Sequence, residues 1–422
     1  MDQLSECCSS SSVTGSFKMR ACLLLTIFWA LLAASCGGEQ LEGDTGPRDP
    51  GTEAWELVPK ERVAAECGLD PGLLEAADEA LGFRWAVIRY GKLCHEYYPD
   101  GGDPPEELFS ATKTLSALVT GIAAYRTKEL ERSGRKTGPL SDEDRVDHWL
   151  DEFDFNPDAQ VAHVLAMVAH NSDLSYGARD FSYDDTGIDQ INRLNDVVRT
   201  AIAQDPDNLG ADVEELTQRF LFQPLGMKSS IWNEGLPDKP WAFGWYGTVR
   251  DMARLGLLIL NRGVWSGERV VEDSWIQKIT HPAFEDASTG YGYQTWLSSR
   301  SNHGENREQG PSAPCSPAAI WPEYPHGLSE AADCGYDPPY TCDQEYDVGV
   351  WAAAGFAGQH IVGHPGLDMV LVAKYAGVDA PSFPTVWNAM RPALVALDPT
   401  FQGDEEAFCE AYANNAYAPD LY

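Results

Sequence analysis

Positive charge is scarce in this chain. Thirty Lys and Arg stand against 65 Asp and Glu, a formal net charge of −35 at pH 7. A surface that acidic repels polyanions, so nucleic acid is excluded as a partner. The chain also has no G-x-S-x-G, no H-E-x-x-H and no C-x-x-C. These absences remove the α/β-hydrolase elbow, the zinc-protease helix and the common zinc-ribbon spacing, so neither metal nor other cofactor is expected. Long apolar runs are missing too: Leu23–Leu32 is the most apolar stretch and is too short for a comfortable membrane span. Apolar residues still make up 43% of the chain, enough for a folded core and too many for a disordered polypeptide.

That short run reads as an export signal. Lys18 and Arg20 precede it, and Met19 is a second possible start, which makes residues 1–18 an extension. It ends Leu32-Ala33-Ala34-Ser35-Cys36, which resembles the lipobox of bacterial lipoproteins, although Ala33 stands where leucine is usual. The resemblance implies lipidation at Cys36, a membrane anchor and an extracytoplasmic place in the cell envelope. An ordinary secretory signal is the alternative. Residues 37–54 are rich in Gly, Pro and acids and read as a flexible tether. Six further cysteines follow (Cys67, Cys94, Cys315, Cys334, Cys342 and Cys409), an even number that suggests disulfides without fixing their pairing.

The most informative stretch is Phe109–Tyr125. Ala111, Leu115, Leu118, Val119 and Ile122 repeat at helical spacing, and Pro104-Pro105 bars the helix from extending backwards. Ser110 stands at its start with Lys113 one turn on, so a hydroxyl nucleophile and an amine that can take its proton share one turn. Two alternatives stand beside this reading. Serine is a common N-cap. The chain also carries a second S-x-x-K, Ser133–Lys136, in a polar segment. Lys136-Thr137-Gly138 lies in that same loop and reads as a chance tripeptide.

In chain order, Asp70-Pro71 opens a helix to Leu81, and Phe83–Tyr90 with Lys92–Tyr98 forms a hairpin around Gly91. From about 126 to 284 the pattern is mainly helical, with Thr248–Asn261 a long amphipathic run. Ser298–Tyr346 holds seven prolines and three cysteines and reads as a lid or a pinned surface loop. Strand-like runs Val348–Ala354, Gly358–Gly363 and Leu367–Tyr375 precede a last helix near Phe383–Leu397. The predicted fold is mixed α/β, strictly α+β: an antiparallel sheet built from residues 55–125 and 285–422, flanked by helices, with a helical part inserted at 126–284.

From about Val58 to Leu397 the chain resembles the serine β-lactamase and penicillin-binding family. It is most similar to the branch with class C β-lactamases, family VIII carboxylesterases and aminohexanoate-oligomer hydrolases. The resemblance rests on ordered landmarks: Gly91-Lys92, Phe109–Lys113, Gly138-Pro139-Leu140, His170–Leu174, Phe181–Asp185, Pro224–Met227, Arg250–Arg254, Tyr291-Gly292-Tyr293 and Ala353–Gln359. It implies acyl transfer by Ser110 with Lys113 and Tyr183 as proton carriers, and an oxyanion hole from the N–H groups of Ser110 and Phe356. Asp185, Ala353, Gly355, Gly358 and Gln359 would line the substrate.

Two positions depart from the family pattern. Asp185 replaces an asparagine, and a carboxylate beside Lys113 would favour the ammonium form. Ala353-Ala354 stands where the family carries a lysine and a hydroxyl, which removes a partner for an anionic substrate. The expected substrate is therefore a small ester or neutral amide, handled by a monomer. A β-lactamase or D,D-peptidase activity, or a catalytically weak envelope-binding lipoprotein of this fold, are the alternatives.

Overall fold

The computed structural model describes residues 48–135, 138–170, 181–183, 185–232, 240–284, 287, 290–298, 349–375 and 383–398. The chain divides between Gly46 and Pro47 into two units, and every described residue belongs to the second. The signal segment with Cys36, residues 171–174, Lys136-Thr137 and the proline-rich stretch at 299–348 lie outside the described residues.

The sheet is assembled from both ends of the chain, as the sequence pattern predicts. Strands β1 (Arg84–Arg89) and β2 (Lys92–Tyr97) form the early hairpin. Far along the chain come β8 (Trp296–Ser298), β9 (Val350–Gly355), β10 (Gln359–His364) and β11 (Met369–Lys374). Their order is β2-β1-β11-β10-β9-β8, and every pairing is antiparallel. Two short pieces stand apart: β3 (Glu106–Glu107), β4 (Ile231–Trp232) and β5 (Trp245–Gly247) make a three-stranded sheet, and β6 (Val264–Trp265) pairs with β7 (Glu268–Arg269).

β9, β10 and β11 are buried at every position, so they show no apolar/polar alternation, and Gln359, His360 and His364 of β10 and Lys374 of β11 are buried with their apolar neighbours. Helices cover both faces. On one side lies a helix at Val249–Leu260, whose Gly256 fits between Val370 and Ile361. On the other lies a helix at Phe383–Val395, whose Trp387 stacks on His364 at 4.8 Å. Successive side chains of a strand point to opposite faces, so Ile361 and His364 report the two layers. Burial lowers the pKa of His364 to about 3, so it packs as a neutral ring.

In chain order the main helices are α1 (Lys60–Cys67), α2 (Pro71–Leu81), α3 (Thr112–Arg132), α4 (Asp185–Asn192), α5 (Leu194–Ile202), α6 (Val249–Leu260), α7 (Asp273–Thr280) and α8 (Phe383–Val395). A disulfide ties Cys67 at the end of α1 to Cys94 in β2. Two sequence expectations shift here. The boundary at 284 assigns α6 to the inserted part, yet α6 packs on β1, β10 and β11. Its amphipathic stripe needs an apolar partner, and the sheet is the largest one available. Residues 48–53, predicted as tether, are strapped to the body. Arg48 pairs with Asp368 at 2.6 Å, and Arg254 of α6 donates to the carbonyls of Gly51 and Glu53 at 2.8 and 2.6 Å. A glycine- and acid-rich composition gives no warning of this, because backbone carbonyls accept those bonds.

α3 is the central helix. Every residue from Thr112 to Ala123 is buried, polar ones included. A helix enclosed on all sides must satisfy its hydroxyls internally. Thr112 Oγ1 accepts from Trp245 N–H, Thr120 Oγ1 donates to the Ser116 carbonyl, and Ser116 Oγ lies 2.6 Å from Gln294 Oε1. The first turn of α3 is thus fixed in position by its surroundings.

Candidate active site

Ser110 lies just ahead of α3, in a single 3₁₀ turn at Phe109–Ala111. β3 leads in: Leu108 N–H donates to the Trp245 carbonyl at 2.8 Å, anchoring the chain one residue before the turn begins. Phe109 takes φ +45°, a left-handed conformation that is strained for a bulky residue. Ser110 makes no capping bond to the helix. Its hydroxyl instead receives a hydrogen bond from Lys113 Nζ at 2.7 Å. The geometry therefore favours the nucleophile reading over the N-cap. Ser133, the rival serine, is exposed at the far end of α3 and donates to the Leu130 carbonyl.

Lys113 is only 2% exposed. Its Nζ sits over the ring of Tyr183, 4.6 Å from the centroid, and that ring helps to shut the amine away from water. Tyr183 is in turn held by rings. Trp296 lies 4.8 Å from it and Tyr291 6.0 Å, and Phe181 packs 4.9 Å from Tyr291. Two backbone features fix this segment. Ser182 N–H donates to the Met167 carbonyl at 3.1 Å, and a Cβ on Gly187 would stand 2.1 Å from the Ser182 carbonyl oxygen. Only glycine lets α4 approach the tyrosine segment that closely.

The third wall is the end of β9. A Cβ on Gly355 would lie 2.1 Å from the Leu108 carbonyl oxygen, so the strand end and the serine turn run side by side. Phe356 follows, its ring edge-on to that of Phe109 at 5.5 Å. The β8 ladder reaches only to Ala352, so the strand continues past it toward the serine turn. Ala353 and Ala354 are buried in the β9–β10 ladder and bring no side-chain charge or hydroxyl.

Three expected substrate residues take other places. Asp185 begins α4 on its exposed face with Asp189, opposite buried Gly187, Gln190 and Ile191. No ion pair joins it to Lys113 among the described residues. The helix period carries its carboxylate away from the lysine that the aligned motif would put beside it. Gln359 is 3% exposed, and its side-chain amide donates to the carbonyls of Ala357 and Tyr375, which locks the β9–β10 turn. Gly358, at φ +83°, serves that turn as well.

Sequence reasoning gave no part to Gln294, Trp296 or Phe109. Gln294 stands at φ +52° with its carbonyl accepting from Thr114 at 3.1 Å, which joins the Tyr291–Trp296 segment to α3. Below it, Tyr293 donates to Asp142 at 2.5 Å, and Lys278 pairs with the same carboxylate. Burial first, and the Asp142 charge second, raise the Tyr293 pKa and keep it a donor. The Tyr291-Gly292-Tyr293 motif was the visible signal, but its partners are distant in sequence.

No family model and no curated relative matches the chain. Solved structures do. One from Bacteroides dorei, provisionally named a beta-lactamase, is 14% identical with a TM-score of 0.50 over 76% of this chain and 97% of its own. A Mycobacterium bovis beta-lactamase is 17% identical with a TM-score of 0.46, covering 76% of this chain and 98% of its own. An octameric penicillin-binding protein homologue from Pyrococcus abyssi is 14% identical with a TM-score of 0.48, covering 77% of each chain. The first of these shows the fold: this chain is folded like the Bacteroides dorei protein provisionally named a beta-lactamase.

Proposed function

We propose that this β-lactamase-like fold carries a serine hydrolase that cleaves esters or neutral amides through an acyl-enzyme on Ser110. The single observation behind the proposal is the 2.7 Å hydrogen bond from a buried Lys113 to the Ser110 hydroxyl. In the reactive form Lys113 is the neutral amine. It takes the Ser110 proton as Oγ adds to the substrate carbonyl carbon and the carbonyl π pair moves onto oxygen. The N–H groups of Ser110 and Phe356 receive that oxyanion. The tetrahedral centre then collapses and expels the alcohol or amine, which takes the proton back from Lys113 with Tyr183 alongside. Water repeats the sequence on the acyl-enzyme, releases the acid and restores Ser110.

Ala353-Ala354 supports neutral substrates over penicillins and D-Ala-D-Ala peptides, since β9 offers no cation there. An envelope-binding role without catalysis would not need a lysine buried against the serine. Export is supported by the Cys67–Cys94 disulfide, a bond that persists in oxidising compartments. Lipid attachment at Cys36 would then hold a monomer on the membrane. Among the described residues no helix is long and apolar enough to cross one. Cys36→Ser should move the protein from the membrane fraction to the soluble one, and unchanged fractionation would sink the anchor.

The activity is tested with p-nitrophenyl butyrate. Ser110→Ala should abolish turnover and leave the melting temperature within a few degrees of wild type, because the serine makes no capping bond. Retained turnover would refute the assignment.

A further inference from the structure

We infer that Phe109 and Phe356 form an aromatic lip over Ser110 that selects a substrate with a ring or other bulky apolar group beside the scissile carbonyl. The inference deepens the proposed hydrolase and rests on it.

Three observations carry it. Phe356 is 58% exposed, the most exposed of the large apolar side chains among the described residues. The hairpin does not require a phenylalanine there. The unusual backbone of the turn falls on Ala357 and Gly358, at φ +61° and +83°, and the Gln359 amide closes it. Beyond its edge-on contact with Phe109 the ring stands open to solvent, and a ligand that covered it would gain apolar burial.

Phe109 provides the second observation. Its backbone is left-handed, at φ +45°, and its ring meets that of Phe356 edge-to-face at 5.5 Å. Strain of this kind persists where the surroundings fix it, and it clusters at functional sites. Both rings belong to residues at the proposed oxyanion hole: Phe109 directly precedes Ser110, and Phe356 is itself one of the N–H donors. A carbonyl carbon bound to Ser110 would have the two rings as near neighbours.

The third observation is chemical. Lys113 is buried under Tyr183, and Ala353-Ala354 lines the adjoining strand with methyl groups. No described side chain of that strand end offers an ion pair to orient a substrate. Orientation must then come from apolar contact, and an aromatic pair supplies it with defined geometry.

The experiment compares wild type, Phe356→Ala and Phe356→Leu, each of which keeps the backbone N–H. Two substrate pairs are used: p-nitrophenyl phenylacetate against p-nitrophenyl acetate, and benzyl butyrate against methyl butyrate. The ratio of kcat/KM within each pair is compared between proteins, which cancels intrinsic ester reactivity. We expect at least one ratio to fall roughly tenfold in Phe356→Ala, the scale on which apolar pockets discriminate, with a smaller fall in Phe356→Leu. If the alanine variant does not fold, a fall of several-fold in the leucine variant supports the lip. Rate of Ser110 labelling by a small fluorophosphonate is recorded in parallel. Both ratios unmoved, with labelling intact, would overturn the aromatic lip alone. No labelling in wild type would overturn the hydrolase and the lip together.

Discussion

Replacing Gly355 by alanine puts a methyl group 2.1 Å from the Leu108 carbonyl oxygen and 3.0 Å from Gln359 Cβ. Ordinary contact begins near 3.4 Å, so the separation must grow by 3.4 − 2.1 = 1.3 Å. The close atom belongs to backbone and has no rotamer to escape into. Leu108 is tied to β5 through its N–H, and β9 is paired with β10 up to Gly355 itself. The gap therefore opens between the serine turn and the Phe356 N–H, the two halves of the proposed oxyanion hole. A misplacement of about 1 Å costs on the order of a hundredfold in rate. Overpacking of this kind destabilises by roughly 1–3 kcal/mol, which a domain this large tolerates. Gly355→Ala should thus lose about a hundredfold in kcat/KM on p-nitrophenyl butyrate while still melting cooperatively a few degrees lower. Gly102→Ala, exposed with nothing within 4 Å of the new methyl, serves as the control. A Gly355→Ala enzyme with wild-type kcat/KM would show that the strand end does not shape the site.

Asp185→Asn should leave the pH–rate profile unmoved and change kcat/KM by no more than about twofold, as expected for a surface change away from the chemistry; a displaced acidic limb would show that the carboxylate reaches Lys113 after all. Lys113→Met keeps the volume but removes the amine, so kcat should drop by roughly 10²–10⁴ with the fold retained. Turnover within tenfold of wild type would exclude Lys113 as the base. Acid should weaken the fold through His163, which burial holds at a pKa of about 4 while the unfolded chain titrates near 6.5. The unfolded state then binds the extra proton, so this stability is complete above pH 6.5 and is lost as the pH falls toward 4. The melting temperature should decline over that window, and less steeply in His163→Asn; equal slopes would acquit the histidine.

What was legible in the sequence follows from range. The β1–β2 hairpin and β9–β11 are set by residues a few positions apart, and each appears where the pattern predicts it; the spacing of Ser110 and Lys113 brings their side chains into a hydrogen bond. β8 escaped notice because three residues carry no periodicity, and only pairing with β9 makes them a strand. The linear motif sets Asp185 beside Lys113, whereas a helix starts at this residue and leaves its side chain exposed. Gln359 is placed at the site only by the resemblance of Ala353–Gln359 to a family landmark, and its bond to Tyr375 sixteen residues on is invisible in the sequence. The all-round burial of α3 is likewise hidden in the sequence, because Thr112 and Thr114 are satisfied by Trp245 and Gln294 on distant segments.

Everything proposed for this chain depends on Ser110 being the residue that attacks. Intact protein treated with a fluorophosphonate probe, digested and mapped by mass spectrometry, tests that directly. The account predicts one adduct, on the peptide carrying Ser110, absent from Ser110→Ala and strongly slowed in Lys113→Met. An adduct on Ser133, or none at all on a folded protein, would contradict it.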